Sequence, residues 1–141
     1  GLLTPVCSPS LLDGRKMFGK AEDLSDFNLL RVYTAPDEWD DWLEAAGVPE
    51  LASKSGPTFD SYILAIQAAI EGQGVALVNG PWAREDIRAG RLVKPIDREL
   101  RYPGAWCMVC KRERRNEQAI KRFQSWLLSQ VDCDPDINDL R

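Results

Sequence analysis

Two adjacent polar residues, Asp60 and Ser61, open a largely apolar helical run that stops on Gly72 and passes directly into a strand at 75–78. In an α-helix the first N–H groups have no internal acceptor, and the aligned peptide dipoles leave partial positive charge at that end. A small anion or a carboxylate can be held there by backbone donors. Ser61 suits two roles, a cap for the helix and a hydroxyl contact for such a ligand, and Asp60 suits the cap as well. Ser8, before Pro9 at the start of a short helical turn, carries the same pair of roles. Asn79 ends a strand, where α/β sheets bind ligands. It also stands where the helix starting at Pro81 needs a cap. Phe59 reads either as a pocket wall or as a packing residue.

Other constellations lead away from catalysis. The chain has no histidine, which removes Ser-His-Asp and Cys-His systems and every imidazole acid or base. Asp40 and Asp41 are adjacent carboxylates, but neighbours on a helix point about 100° apart and do not converge on one substrate atom. Of the four cysteines, Cys107 and Cys110 form a C-x-x-C, with Cys7 and Cys133 elsewhere. That spacing serves a redox pair or half a zinc site. Here 106–110 reads as a buried strand, in which residues three apart face opposite sides. Gly72 and Gly74 follow a helix and precede a strand, the reverse of the dinucleotide-binding order. Gly72 is therefore a helix stop with positive φ. The stretch 132–139 places Ile137 where a calcium loop needs glycine, so it reads as an acidic tail. No catalytic residue, metal or cofactor is expected, and the chain is not expected to be an enzyme.

The elements that must position these residues follow from periodicity. Strands are predicted at Leu2–Val6, 28–33, Thr58–Phe59, 75–78, 91–96 and 105–111. Helices are predicted at 36–46 with Gly47 as stop, at 61–71, at 82–89 with Gly90 as stop, and at 116–129. The first helix carries Trp39, Trp42, Leu43 and Ala46 at helical spacing, and the last carries Ile120, Phe123, Trp126 and Leu127 on one face. Short helical turns are predicted after Cys7 and at 21–24, and 47–56 reads as a loop. Alternating strands and helices give an α/β class with parallel pairing in at least part of the sheet.

With 141 residues, 44% hydrophobic and 28% charged, the chain is sized for one soluble globular domain. A net charge of −4 argues against a general nucleic-acid binder. The run 111–122, with six basic and two acidic residues, reads as a polar helix face. No apolar run reaches the roughly 18 residues of a membrane span, and the start lacks the pattern of a signal peptide. The expected location is the cytoplasm, with no membrane partner.

Several ordered pieces carry a resemblance. They are Pro5-Val-Cys-Ser-Pro-Ser-Leu-Leu12, Asp23-Leu24, Asn28-Leu-Leu30, Trp39-Asp-Asp-Trp-Leu-Glu-Ala-Ala-Gly47 and Phe59-Asp60. Then come Ala68-Ala69, Gly72-Gln-Gly-Val-Ala-Leu77, Gly90-Arg-Leu-Val93 and Phe123-Gln-Ser-Trp-Leu-Leu128. In this order and spacing the chain resembles the effector-binding region of LysR-type transcriptional regulators, in the subgroup of the glycine-cleavage activator and the β-lactamase regulator.

The resemblance implies a periplasmic-binding-protein-like type II α/β regulatory domain, N-terminally truncated. On that reading residues 1–131 are a partial domain that starts at a first crossing strand. The second subdomain, 7–104, is complete and the first largely missing. Residues 105–131 supply a returning strand and the last helix of the first subdomain, and 132–141 form a tail. The implied function is sensing a small effector, such as a carboxylate, amino acid or peptide, between subdomains. Ser8, Phe59, Asp60, Ser61, Asn79 and Trp106 are the expected contacts, Trp106 because this subgroup often carries an aromatic there. DNA would be reached only through a helix-turn-helix domain absent from this chain. The alternative is a self-associating module derived from such a regulator.

Overall fold

Apolar residues at alternate positions put strands in the middle of a three-layer arrangement. A computed structural model describes residues 1–53, 56–101 and 107–133. The chain divides into two compact units, Gly1–Tyr102 and Pro103–Arg141.

In the first unit five strands form one sheet: β1 (Leu2–Val6), β2 (Leu29–Val32), β3 (Thr58–Phe59), β4 (Val75–Asn79) and β5 (Leu100–Arg101). Their order is β3-β2-β4-β1-β5. β2 pairs in parallel with β3 and β4, and β1 runs antiparallel to both β4 and β5. The expected parallel pairing is thus present on one side of the sheet.

Side-chain alternation sorts the core into two layers. Leu3, Cys7, Leu29, Val75 and Leu77 point to one face, where Trp39, Trp42 and Leu43 cover them. These three belong to α1 (Glu38–Ala46), which ends on Gly47 at φ 81°. Val6, Leu30, Val32, Ala76 and Val78 point to the other face. There they meet Ala65, Ile66, Ala68 and Ala69 of α2 (Tyr62–Ile70). Small residues on α2 let it approach the sheet closely. Gly72 follows at φ 74°, the left-handed stop expected of it. Gly74 is needed for a different reason, because a Cβ there would collide with the Asn28 carbonyl oxygen. That close approach lets Val75 N–H donate to Asn28 O at 2.9 Å, the bond that starts the β4 pairing.

Most expected elements are present, and the differences have physical reasons. Residues 91–96 do not form a strand beyond a single bridge, Cys7 to Val93. Pro95 has no N–H to extend it. Its place beside β1 is taken by the two-residue β5. The expected loop 47–56 contains a 3-10 turn, Pro49–Ser53. After β4, a 3-10 turn (Gly80–Ala83) leads into α3 (Arg84–Arg88). Leu2–Val6 forms the expected strand and pairs with β4 and β5.

In the second unit, Cys107 to Cys110 are exposed and irregular, not the expected buried strand. A strand exists only by pairing, and no described strand pairs with them. Trp106, with the start of that expected strand, lies outside the described residues. A turn at Arg112–Arg114 precedes α4 (Gln118–Cys133). None of the residues of α4 is buried, including Trp126, which the sequence reading placed on a packed face.

Candidate functional site

The topology creates one position suited to a ligand. From β2 the chain passes to α1 on one face of the sheet, and from the adjacent β3 it passes to α2 on the opposite face. Two neighbouring parallel strands whose connections diverge in this way leave a crevice at their carboxyl ends, the usual ligand position in open α/β sheets. The N-termini of both α1 and α2 border it.

Ser61 caps α2 from an extended backbone, φ −153° and ψ 157°, and its Oγ accepts from Leu64 N–H at 3.5 Å. That contact is at the long limit of a hydrogen bond. The cap role expected for Ser61 is observed, and the hydroxyl is only weakly engaged in it. Asp60 is exposed beside it, and Phe59 is half-buried with the α2 cluster. Tyr33 N–H donates to Phe59 O at 2.8 Å, which fixes the loop after β2 against the end of β3. Tyr33, Ile63, Leu64 and Trp82 are all exposed, and all sit in the segments that leave or enter this end of the sheet.

The residue that sequence reasoning missed is Glu38. It is the first residue of α1 and is buried. Tyr62 Oη donates to its Oε2 at 2.6 Å, and Asn79 Nδ2 donates to its Oε1 at 3.4 Å. One carboxylate thus joins the start of α1, the start of α2 and the end of β4. Asn79 Oδ1 is buried without a hydrogen-bond partner among the described residues. Asn79 was read as a cap for the following turn, but its side chain makes no cap hydrogen bond. A signal for Glu38 was available, because it lies four residues before Trp42 and so on the same helix face as the tryptophan that enters the core.

Ser8 is placed elsewhere. The β1–β4 register sets Val6 against Ala76 and Leu3 against Asn79, so Ser8 is about five residue steps from Asn79, or roughly 16 Å along the sheet. Its N–H donates to Ala69 O at 3.1 Å, at the far end of α2, and its Oγ accepts from Ser10 N–H at 3.4 Å. Phe59, Asp60, Ser61 and Asn79 come together at the carboxyl end of the parallel strands, and Ser8 caps a turn at the opposite end. Among the described residues no group of three or more His, Cys, Asp or Glu side chains could hold a metal. No described helix is long and apolar enough to cross a membrane.

A mixed sheet covered by helices on both faces, with helix starts gathered at its carboxyl edge, is a periplasmic-binding-protein-like type II arrangement. The effector domain of the transcriptional regulator AmpR of Pseudomonas aeruginosa superposes with a TM-score of 0.68 at 27% identity. That match covers 92% of this chain and 60% of that one. The AmpR effector binding domain of Citrobacter freundii gives a TM-score of 0.72 at 23% identity, a likeness of fold.

The family model for the LysR substrate binding domain matches residues 3–132, and the chain belongs to that family. The glycine cleavage system transcriptional activator of Escherichia coli (strain K12) is 37% identical over 129 residues, which are 92% of this chain and 42% of that protein. The HTH-type transcriptional activator AmpR of Providencia stuartii is 38% identical over 109 residues, which are 77% of this chain and 36% of that protein. The chain therefore spans less than half the length of these relatives, which are named as transcriptional activators and not as enzymes.

Proposed function

We propose that this chain is the ligand-sensing part of a LysR-type transcriptional regulator and takes a small effector in the crevice at the carboxyl ends of β2 and β3. Ser61 and the first-turn N–H groups of α2 receive a carboxylate of the effector. Phe59 provides an apolar wall, and Asp60 and Asn79 border the polar part. An amino acid or a short peptide fits this description. Trp106 remains a proposed contact from the family resemblance. The observation that supports the reading most is the divergence of α1 and α2 from adjacent strands, which brings two helix starts to one crevice. In such a regulator the effector acts by binding one arrangement of the protein more tightly than another. DNA contact would belong to a helix-turn-helix domain, and the protein would act in the cytoplasm as an oligomer.

The test is calorimetric titration of the chain with acetate, glycine and glycylglycine, repeated with Ser61→Leu. Binding of at least one probe that is lost in the variant, with unchanged circular dichroism, supports the site. Equal binding by both proteins removes Ser61 from it.

A further inference from the structure

The C-x-x-C pair of the second unit lies in a setting opposite to the one its sequence suggested. A buried strand would hold the two side chains on opposite faces, out of reach of each other. Instead Cys107 and Cys110 are exposed thiols, and 107–111 belong to no helix or strand. The two residues between them, Met108 and Val109, are 39% and 87% exposed. Little packing therefore opposes drawing 107–110 into a tight turn. Such a turn brings the ends of a four-residue segment within about 7 Å, close to the range in which a disulfide closes.

The charge beside the pair is one-sided. Lys111, Arg112, Arg114 and Arg115 follow directly, with only Glu113 among them, and all are exposed. Arg114 is held above its ordinary range, first by the hydrogen bond it donates to Glu117 and in lesser part by electrostatic attraction to Cys110. A basic surface of this kind raises the local concentration of anionic reactants. The other two cysteines differ in both respects. Cys7 is buried, and burial pushes its thiol up to about 11, which withholds the reactive thiolate. Cys133 is exposed but ends α4 next to Asp132, where the carboxylate and the negative end of the helix dipole repel anions.

We propose that Cys107 and Cys110 form a thiol–disulfide exchange site for anionic low-molecular-weight disulfides. The thiolate of Cys110, next in sequence to the cations, attacks one sulfur of the small disulfide and expels the other half as a thiolate. The Cys107 thiolate then attacks Cys110 Sγ and expels the second half. One Cys107–Cys110 bond forms, the small disulfide is reduced to two thiols, and the two protons pass from the protein thiols to those products. The site is independent of the crevice at Ser61.

The test is incubation of the whole chain with oxidised glutathione, whose carboxylates outnumber its ammonium groups, followed by intact-mass measurement and disulfide mapping. The expected product is a chain lighter by two hydrogens, with the bond at Cys107–Cys110 and Cys133 largely unmodified. Cys107→Ser should stop at a glutathione adduct on Cys110. Arg112→Gln combined with Arg115→Gln should slow the reaction at least about threefold and leave the rate with uncharged hydroxyethyl disulfide unchanged. Raising salt from about 0.05 to 0.5 M should act in the same selective way. Both arginines are exposed, so circular dichroism of that variant should match wild type. Glutathione accumulating on Cys133 as fast as on Cys110 would overturn the proposal. So would a mixed disulfide that never closes in the wild-type chain, or equal slowing of both reagents in the arginine variant. Ser61→Leu should leave every one of these readouts unchanged, so the exchange site and the crevice fail separately.

Discussion

Replacing Glu38 by alanine should cost far more than an acidic residue on the first turn of a helix ordinarily does. Glu38 is 6% exposed and accepts from Tyr62 Oη at 2.6 Å and from Asn79 Nδ2 at 3.4 Å. The shorter bond is charge-assisted, and such bonds contribute about 1.5–3 kcal/mol. The longer one adds little, but its loss leaves a part-buried amide donor unpaired. The sum is a destabilisation of about 2–4 kcal/mol for Glu38→Ala. With a urea dependence of about 2 kcal/mol per molar, the unfolding midpoint falls by about 1–2 M. Tryptophan fluorescence in urea reads this directly, because Trp39 and Trp42 are both buried on the same helix. A double-mutant cycle with Tyr62→Phe should return a coupling of at least about 1.5 kcal/mol. Glu38→Gln keeps an oxygen acceptor, and its amide can donate to the unpaired Asn79 Oδ1, so it should recover most of the loss. A coupling below about 0.5 kcal/mol, or a Glu38→Ala variant as stable as wild type, would refute the claim that this carboxylate ties the two helix starts together.

Gly74→Ala should lose several kcal/mol in the same assay and Gly90→Ala less, because a Cβ at Gly74 meets the Asn28 carbonyl while Gly90 opposes only its positive φ and has open space around it. Trp42→Ala, at 1% exposure, should cost about 3–5 kcal/mol. Trp126→Ala, more than half exposed, should change monomer stability by less than about 1 kcal/mol; equal losses would show that α4 is packed. Burial pushes the Cys7 thiol up to about 11 from its ordinary 9.0. The unfolded chain then ionises first, so this contribution is complete below pH 9 and is lost as pH rises toward 11. Between pH 8 and 10.5 the stability of wild type relative to Cys7→Ala should fall by about 2 kcal/mol, measured by urea unfolding; parallel curves would contradict it.

The legible parts of this fold were those where one residue type does one job. Gly47, Gly72 and Gly90 all stop helices at positive φ, as their positions announced. Trp39, Trp42 and Leu43 declared the buried face of α1, and Ser61 declared the start of α2. The strands at 91–96 and, over its described part 107–111, at 105–111 were misread because apolar β-branched and aromatic residues report burial or contact, not pairing. Leu92 is fully buried without belonging to a ladder, whereas Val109 has similar chemistry and is exposed. β5 was invisible, since two residues, Leu100 and Arg101, carry no period. Ser8 and Ser61 look alike in sequence, each a serine at a helical start. Only the antiparallel register of β1 against β4 separates them, and register is a long-range property.

The candidate site combines a weak contact with a strong one, and the difference between them matters for sensing. Ser61 Oγ holds Leu64 N–H only at 3.5 Å, so turning the hydroxyl toward a ligand sacrifices little. The next residue, Tyr62, is fixed to Glu38 at 2.6 Å. The first turn of α2 is therefore held in place, with Leu64 N–H only weakly engaged. Under the proposed function, a carboxylate arriving there would meet a helix start that is already ordered, the condition under which helix-end donors bind anions with useful strength. The same clamp extends to α1 on the other face of the sheet. Under the proposed function, a pull on the start of α2 would be transmitted through Glu38 to both helical layers. Tyr62→Phe separates holding from binding: it keeps Ser61 and the backbone donors but releases the clamp. Its effector affinity should fall less than that of Ser61→Leu, while hydrogen exchange in the first turns of both α1 and α2 should quicken. Exchange that quickens in α2 alone would mean that the two layers are not coupled through this carboxylate.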